Sequence, residues 1–223
     1  MNATTLRRPV TVLTGALLLG AAAATVQVTK PTAAPAAARP VVAPAVPGLG
    51  ADRQHIVLRA NQALVEPTRY RLTRGGATRL SKPSGDDNHL GGKNYNEYND
   101  FSGQDWSGHF AAAMWTGQDP PARYWHPRQW RTSTGDRYHR YTPRSLPRPG
   151  DVLVWDNRGD ASSGHVAVVT AVRGRAITTV EGDAGRGADS VHRHTYDWGD
   201  RRNTRFPGPY LPNKDFRGFS APS

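Results

Sequence analysis

The sequence predicts an α+β fold with N-terminal helices packed on a small antiparallel β-sheet. Three observations predict it. Apolar residues recur at helical spacing between residues 51 and 116. Runs of Val, Ile and Thr bounded by Gly and Asp begin at Asp151. A short polar link, Arg173-Gly174-Arg175, joins two of those runs as a hairpin. Helices followed by antiparallel strands is the α+β order.

Taken in order, Ala51 to Val65 reads as a helix. Ile56, Ala60 and Ala63 or Leu64 lie on one face, and Pro67 stops it. Residues 73–93 are rich in Gly, Ser and Asp and read as loop. Asp105 is the expected N-cap for a helix over 106–116, with Phe110 and Met114 at i and i+4 and Gly117 as its C′ residue. Residues 118–150 are proline-rich and read as irregular with one short helix. Strands are expected at Asp151–Asp156, His165–Val172, Ala176–Glu181 and Val191–Tyr196. The chain beyond them reads as a C-terminal tail.

The first 38 residues read as an export signal. Arg7 and Arg8 precede an uncharged, Ala- and Leu-rich stretch that runs to Lys30, and Ala22–Ala24 and Ala36–Ala38 are small-residue cleavage candidates. An uncleaved membrane anchor is the competing reading, and it is the one route by which a membrane becomes a partner. Residues 39–50, with Pro40, Pro44 and Pro47 among Ala and Val, read as an extended linker. The folded domain is then 51–223. Overall charge is +11, and removal of Arg7, Arg8 and Lys30 with the segment leaves 26 basic against 18 acidic residues. A basic exported domain meets anionic wall polymers or surface lipids, and no nucleic acid is expected. The chain has no cysteine, which excludes disulfides, thiolate metal sites and a thiol nucleophile.

A three-residue link at 173–175 would pair Val172 with Ala176, hence Ala167 with Glu181 and His165 with Asp183. His165, Glu181 and Asp183 then share one sheet face, and a carboxylate can orient the imidazole. That is the base half of a catalytic triad. A two-residue link would slip the register and break the arrangement. Ser107, in the first turn of the second helix, sits where backbone N–H groups and the helix dipole favour a nucleophile beside an oxyanion site. A serine at a helix start also serves simply as a cap.

Several segments resemble the CHAP family (cysteine, histidine-dependent amidohydrolase/peptidase). Trp106-Ser107-Gly108-His109-Phe110 is similar to its Trp-Cys-x-x-Phe helix. Asn94-Tyr95-Asn96-Glu97-Tyr98, Pro147-Arg148-Pro149-Gly150-Asp151-Val152, Gly164-His165-Val166 and Val180-Glu181-Gly182-Asp183 follow in the family order, over about residues 52–198. The resemblance implies a papain-like fold and cleavage of amide or peptide bonds in peptidoglycan. It implies His165 as base, Glu181 as orienting acid and Asp183 as accessory, where the family often has Asn. It implies Ser107 at the position of the catalytic cysteine. A thiol there becomes an ion-paired thiolate, whereas a hydroxyl needs its proton removed during attack.

Three functional readings follow. The first is an exported, degenerate CHAP-like domain that binds peptidoglycan or an anionic wall polymer with little or no cleavage. The second is an active Ser107–His165–Glu181 amidase or endopeptidase. The third is a basic interaction module using residues 123–144, which carry six Arg and five aromatic side chains against Asp136 alone. Trp106, Trp125 and Trp130 are candidate substrate contacts. No cofactor and no metal is expected. Asp86, Asp87 and His89, or His192 and His194, lack a recognised ligand motif. Arg158-Gly159-Asp160 reads as a turn.

Overall fold

The computed structural model describes residues 48–91, 95–185, 187–198 and 213–223. The chain divides at Pro40/Val41, and every described residue lies in the second unit. The expected export segment and most of the linker lie outside the described residues.

The architecture is α+β. Helix α1 spans Ala51–Gln62. Short strands β1 (Arg69–Tyr70), β2 (Arg79–Leu80) and β3 (Asp87–His89) follow, the last two inside the stretch expected as loop. Helix α2 spans Ser107–Met114, and α3 is one turn, Gln129–Thr132. The remaining strands are β4 (Tyr138–Arg140), β5 (Val152–Asn157), β6 (Asp160–Arg173), β7 (Ala176–Ala184), β8 (Ser190–Asp197) and β9 (Lys214–Ser220). Seven of them form one antiparallel sheet in the order β3-β8-β7-β6-β5-β9-β4. Strand β9 corrects the expectation of a C-terminal tail, because it lies between β5 and β4.

Alternation along the strands builds two cores. Val152, Val154, Val166, Val168, Val180 and Val191 pack against Ile56, Leu64, Phe110 and Trp115 of the helices. Leu153, Trp155, Ala167, Val169, Ile177 and Phe219 form a second core on the opposite sheet face. The Pro147–Asp151 segment pins the helices to the sheet. Asp151 accepts from Arg53 of α1 at 2.7 Å, and the Trp115 indole at the end of α2 donates to the Gly150 carbonyl at 2.9 Å.

The hairpin link differs from expectation. Arg173 pairs with Ala176, so only Gly174 and Arg175 form the turn. The ladder then slips between Val169 and Ala171, which leaves Thr170 as a bulge. From Val169↔Thr179 and Val168↔Val180 inward, the pairing is that of the three-residue link. The bulge cancels the shorter turn before the ladder reaches His165. Arg158-Gly159 forms the β5–β6 turn, with Asn157 paired to Asp160.

Candidate functional site

The site is built where the start of α2 meets the ends of β6 and β7. On the sheet side, His165 Nε2 and Glu181 Oε2 lie 2.9 Å apart, and both side chains are 3–4% exposed. The other carboxylate oxygen of Glu181 accepts from the Thr179 hydroxyl at 2.6 Å and the Tyr196 hydroxyl at 2.7 Å. Burial pushes the Glu181 carboxyl up. The hydrogen bond and charge of His165, with the two hydroxyls, outweigh it and hold the carboxyl below its ordinary value. Glu181 is therefore a carboxylate at neutral pH and fixes the imidazole through Nε2. That leaves Nδ1 as the ring nitrogen able to take a proton.

On the helix side, Ser107 is the first residue of α2 and is 4% exposed. The N-cap is Trp106, not the expected Asp105, and no side chain caps the helix through that residue. The first intrahelical bond runs from Phe110 N to Trp106 O at 2.9 Å, so the amides of Ser107, Gly108 and His109 have no acceptor within the helix. Free amides at a helix start are able to hold an oxyanion. Among the described residues, no hydrogen bond joins the Ser107 hydroxyl to His165.

Asp183 bridges the two sides. Its Oδ2 accepts from the Trp106 amide at 3.2 Å, while Oδ1 is buried without a hydrogen-bond partner. Its backbone is left-handed, with φ at 58°, where the β7–β8 ladder slips between Glu181 and Ala184. This turn takes the side chain to the helix start instead of leaving it in a hydrogen bond with His165. Burial raises the Asp183 carboxyl to about 6, against opposing attraction from His165 and Lys214.

Two glycines let the halves meet. A Cβ on Gly182 would lie 2.5 Å from Phe110 Cβ and 2.7 Å from the Trp106 ring, so the helix rests on bare backbone there. A Cβ on Gly108 would lie 2.0 Å from the Tyr124 carbonyl, so the 124–125 backbone sits directly on the first turn of α2. This contact brings Trp125 to the cleft. The cleft holds about 630 Å³ and is lined by Gly103, Asp105, Ser107, Trp125, Ser163 and Gly164 among others.

Of the three tryptophans expected to contact substrate, Trp125 lines this cleft and is 37% exposed. Trp106 and Trp130 are fully buried. Trp106 stacks on Tyr98 at 5.7 Å, and Trp130 meets Trp115 edge-on at 5.0 Å. Both are packing residues, because an indole with no exposed face cannot meet a polymer. His109 escaped the sequence reading. It stacks against Trp125 with ring centroids 6.4 Å apart, and its Nε2 is buried without a partner. Its i+2 position from Ser107 on a helix gave no sign of this, because Tyr124 and Trp125 arrive from a distant loop. Of the residues weighed for a metal, Asp86 pairs with Arg193 at 2.6 Å, Asp87 with His192 at 3.3 Å and His89 with Asp189 at 3.3 Å.

The CHAP domain family model matches residues 94–183, which hold α2, β5, β6 and most of β7. No curated protein and no solved structure matches the chain.

Proposed function

We propose, from the premise that this chain belongs to the CHAP family over residues 94–183, that it is an exported domain that holds peptidoglycan in the Ser107 cleft and cleaves it little or not at all. A peptidoglycan-hydrolase-like module is the coarse statement that the family carries. The finer reading rests on one observation. His165 and Glu181 lie 2.9 Å apart, while the Ser107 hydroxyl, where the family has a thiol, is nearly buried and among the described residues makes no hydrogen bond to His165.

The chemistry explains why this combination favours binding. A cysteine at a helix start beside His⁺ ionises before substrate arrives. Ser107 does not ionise near neutral pH, so its proton must pass to His165 Nδ1 during attack. Without a Ser107–His165 hydrogen bond that transfer has no prepared path, and a misplacement of about 1 Å can cost roughly 100-fold. The Asp183 carboxyl at the helix start, raised to about 6, is still mostly ionised near neutral pH and opposes negative charge developing on an oxyanion beside the same amides. Trp125, 37% exposed at the cleft, offers part of its ring for packing on a sugar or peptide of the wall.

The second reading is an active serine amidohydrolase, favoured by the intact His165–Glu181 pair. In that reaction Ser107 Oγ attacks the amide carbonyl as its proton moves to His165 Nδ1. Glu181 stabilises the imidazolium, and the amides of the first turn of α2 hold the oxyanion. The imidazolium then protonates the leaving amine, and water hydrolyses the acyl-serine by the same steps. Incubation of the protein with purified sacculi separates the readings. Co-sedimentation without release of soluble fragments, with binding weakened in Trp125→Ala, supports the binder. Fragment release that disappears in both Ser107→Ala and His165→Ala overturns it in favour of the enzyme.

A further inference from the structure

Three arginines from three separate elements converge on one concave pocket away from Ser107. Arg131 comes from α3, Arg140 from β4 and Arg217 from β9, and with Tyr138 they enclose about 370 Å³. Their meeting depends on a register break. The β5–β9 ladder pairs Val154 with Gly218 and then Trp155 with Phe216, so Arg217 is the unpaired residue of a bulge. A bulge redirects the side chain it carries.

Asp156 then organises the cations. Its side chain is fully buried. It accepts from Arg131 Nε at 3.2 Å and Nη2 at 3.0 Å, and from Arg217 Nε at 2.9 Å. One buried carboxylate thus fixes the planes of two guanidiniums by their inner edges and leaves outer N–H groups for a ligand. Arg140 is exposed, and among the described residues no hydrogen bond or ion pair engages its guanidinium. At the rim, Asp215 lies near Arg158 at 3.5 Å and Arg217 at 3.6 Å. Four guanidiniums therefore face two carboxylates. Tyr138 donates its hydroxyl to the Arg217 carbonyl at 2.8 Å and forms the pocket wall.

We propose that this pocket binds a phosphate group. A planar carboxylate is satisfied by one guanidinium fork, whereas donors arriving from three elements match the several oxygens of a tetrahedral anion. The pocket also has an address relative to the cleft. Asp156 is the cross-strand partner of Gly164, and Gly164 lines the cleft. A phosphodiester polymer held at the arginines would run beside the Ser107 site. That choice of source rests on the wall-binding reading, whereas the phosphate chemistry does not.

The test is titration calorimetry of the full chain with inorganic phosphate, followed by competition with poly(glycerol phosphate). The wild type is expected to bind phosphate saturably, with affinity falling as salt rises. Arg140→Gln removes a side chain with no structural partner and should weaken binding about tenfold, the scale of one charge-assisted hydrogen bond. Arg217→Lys keeps the charge, loses the fork and should also bind more weakly. Displacement of phosphate by the polymer assigns the source to a phosphodiester chain. Phosphate binding without displacement assigns it to small phosphate esters and leaves the site standing. Absence of phosphate binding by wild type, or equal binding by wild type and Arg140→Gln, overturns the proposal. Sacculi stripped of phosphate polymers still report on the cleft, so failure here is distinct from failure of the wall-binding reading.

Discussion

Glu181 and Asp183 stand two residues apart on one strand, both buried and both facing His165 electrostatically, yet their carboxyls shift in opposite directions. Glu181 is lowered because His165, Thr179 and Tyr196 together overcome its burial. Asp183 is raised to about 6 because burial prevails and its Oδ1 has no partner. The sheet half of the site is thus an anion with every oxygen satisfied. The helix half is an acid poorly matched to its surroundings beside a Ser107 hydroxyl that makes no hydrogen bond to His165 among the described residues. Hydrogen-bond supply, not burial, separates them.

Removing the well-supported acid should do the most damage. Glu181→Ala leaves His165, Thr179 and Tyr196 without their shared acceptor, and chemical denaturation should show a loss of roughly 3–5 kcal/mol. A loss under 1 kcal/mol would erase the contrast between the two halves.

Asp183→Asn should act in the other direction, and only above the carboxylate range. Asp183 has a raised folded-state pKa, so the native state holds the proton more tightly than the unfolded chain does. Stability is therefore lost as pH rises from the ordinary value, 3.8, to about 6. Asn removes that penalty and should stabilise by roughly 2–3 kcal/mol at pH 8, with little difference at pH 3.5. A pH-independent effect on Tm would mean that the carboxyl is not the cause. For Glu181 the sign is reversed. Its contribution is present above the ordinary carboxylate value and is lost as pH falls through the lowered one.

Gly182→Ala probes the joint between the halves. The new methyl collides with Phe110 and Trp106, and overpacking of this kind costs roughly 1–3 kcal/mol. Near-ultraviolet circular dichroism of the displaced Trp106 should change with it. The smallest effect is expected at the exposed Arg175–Asp197 pair, where Arg175→Gln should cost under about 0.5 kcal/mol.

Much of this arrangement was legible in the residues. The helix over Ser107 and the existence of the hairpin follow from spacing, whereas the meeting of His165 with Glu181 was expected from a three-residue link that the structure does not have. The register at His165 was legible for a reason the spacing did not contain, since the Thr170 bulge offsets a turn one residue shorter than expected. Strand β9 was illegible because Gly218 and the bulged Arg217 interrupt the alternation of Phe216 and Phe219. Position along the chain could not separate Trp125 from Trp106 and Trp130. Exposure is decided by what packs over each ring, and the contact of the 124–125 backbone with Gly108 is a long-range one. The left-handed turn at Asp183 was equally hidden, so its side chain was expected on the His165 face instead of at the Trp106 amide.

On the proposed reading, His165 and Glu181 are able to do acid–base work, and the element missing is an ionisable nucleophile at position 107. Ser107→Cys tests it most directly, read as soluble fragments released from sacculi with and without prior thiol alkylation. Wild type should release little or nothing, and Ser107→Cys should release fragments clearly, in a way that alkylation abolishes. Release by wild type that equals or exceeds that of Ser107→Cys, and is lost in Ser107→Ala, would contradict it.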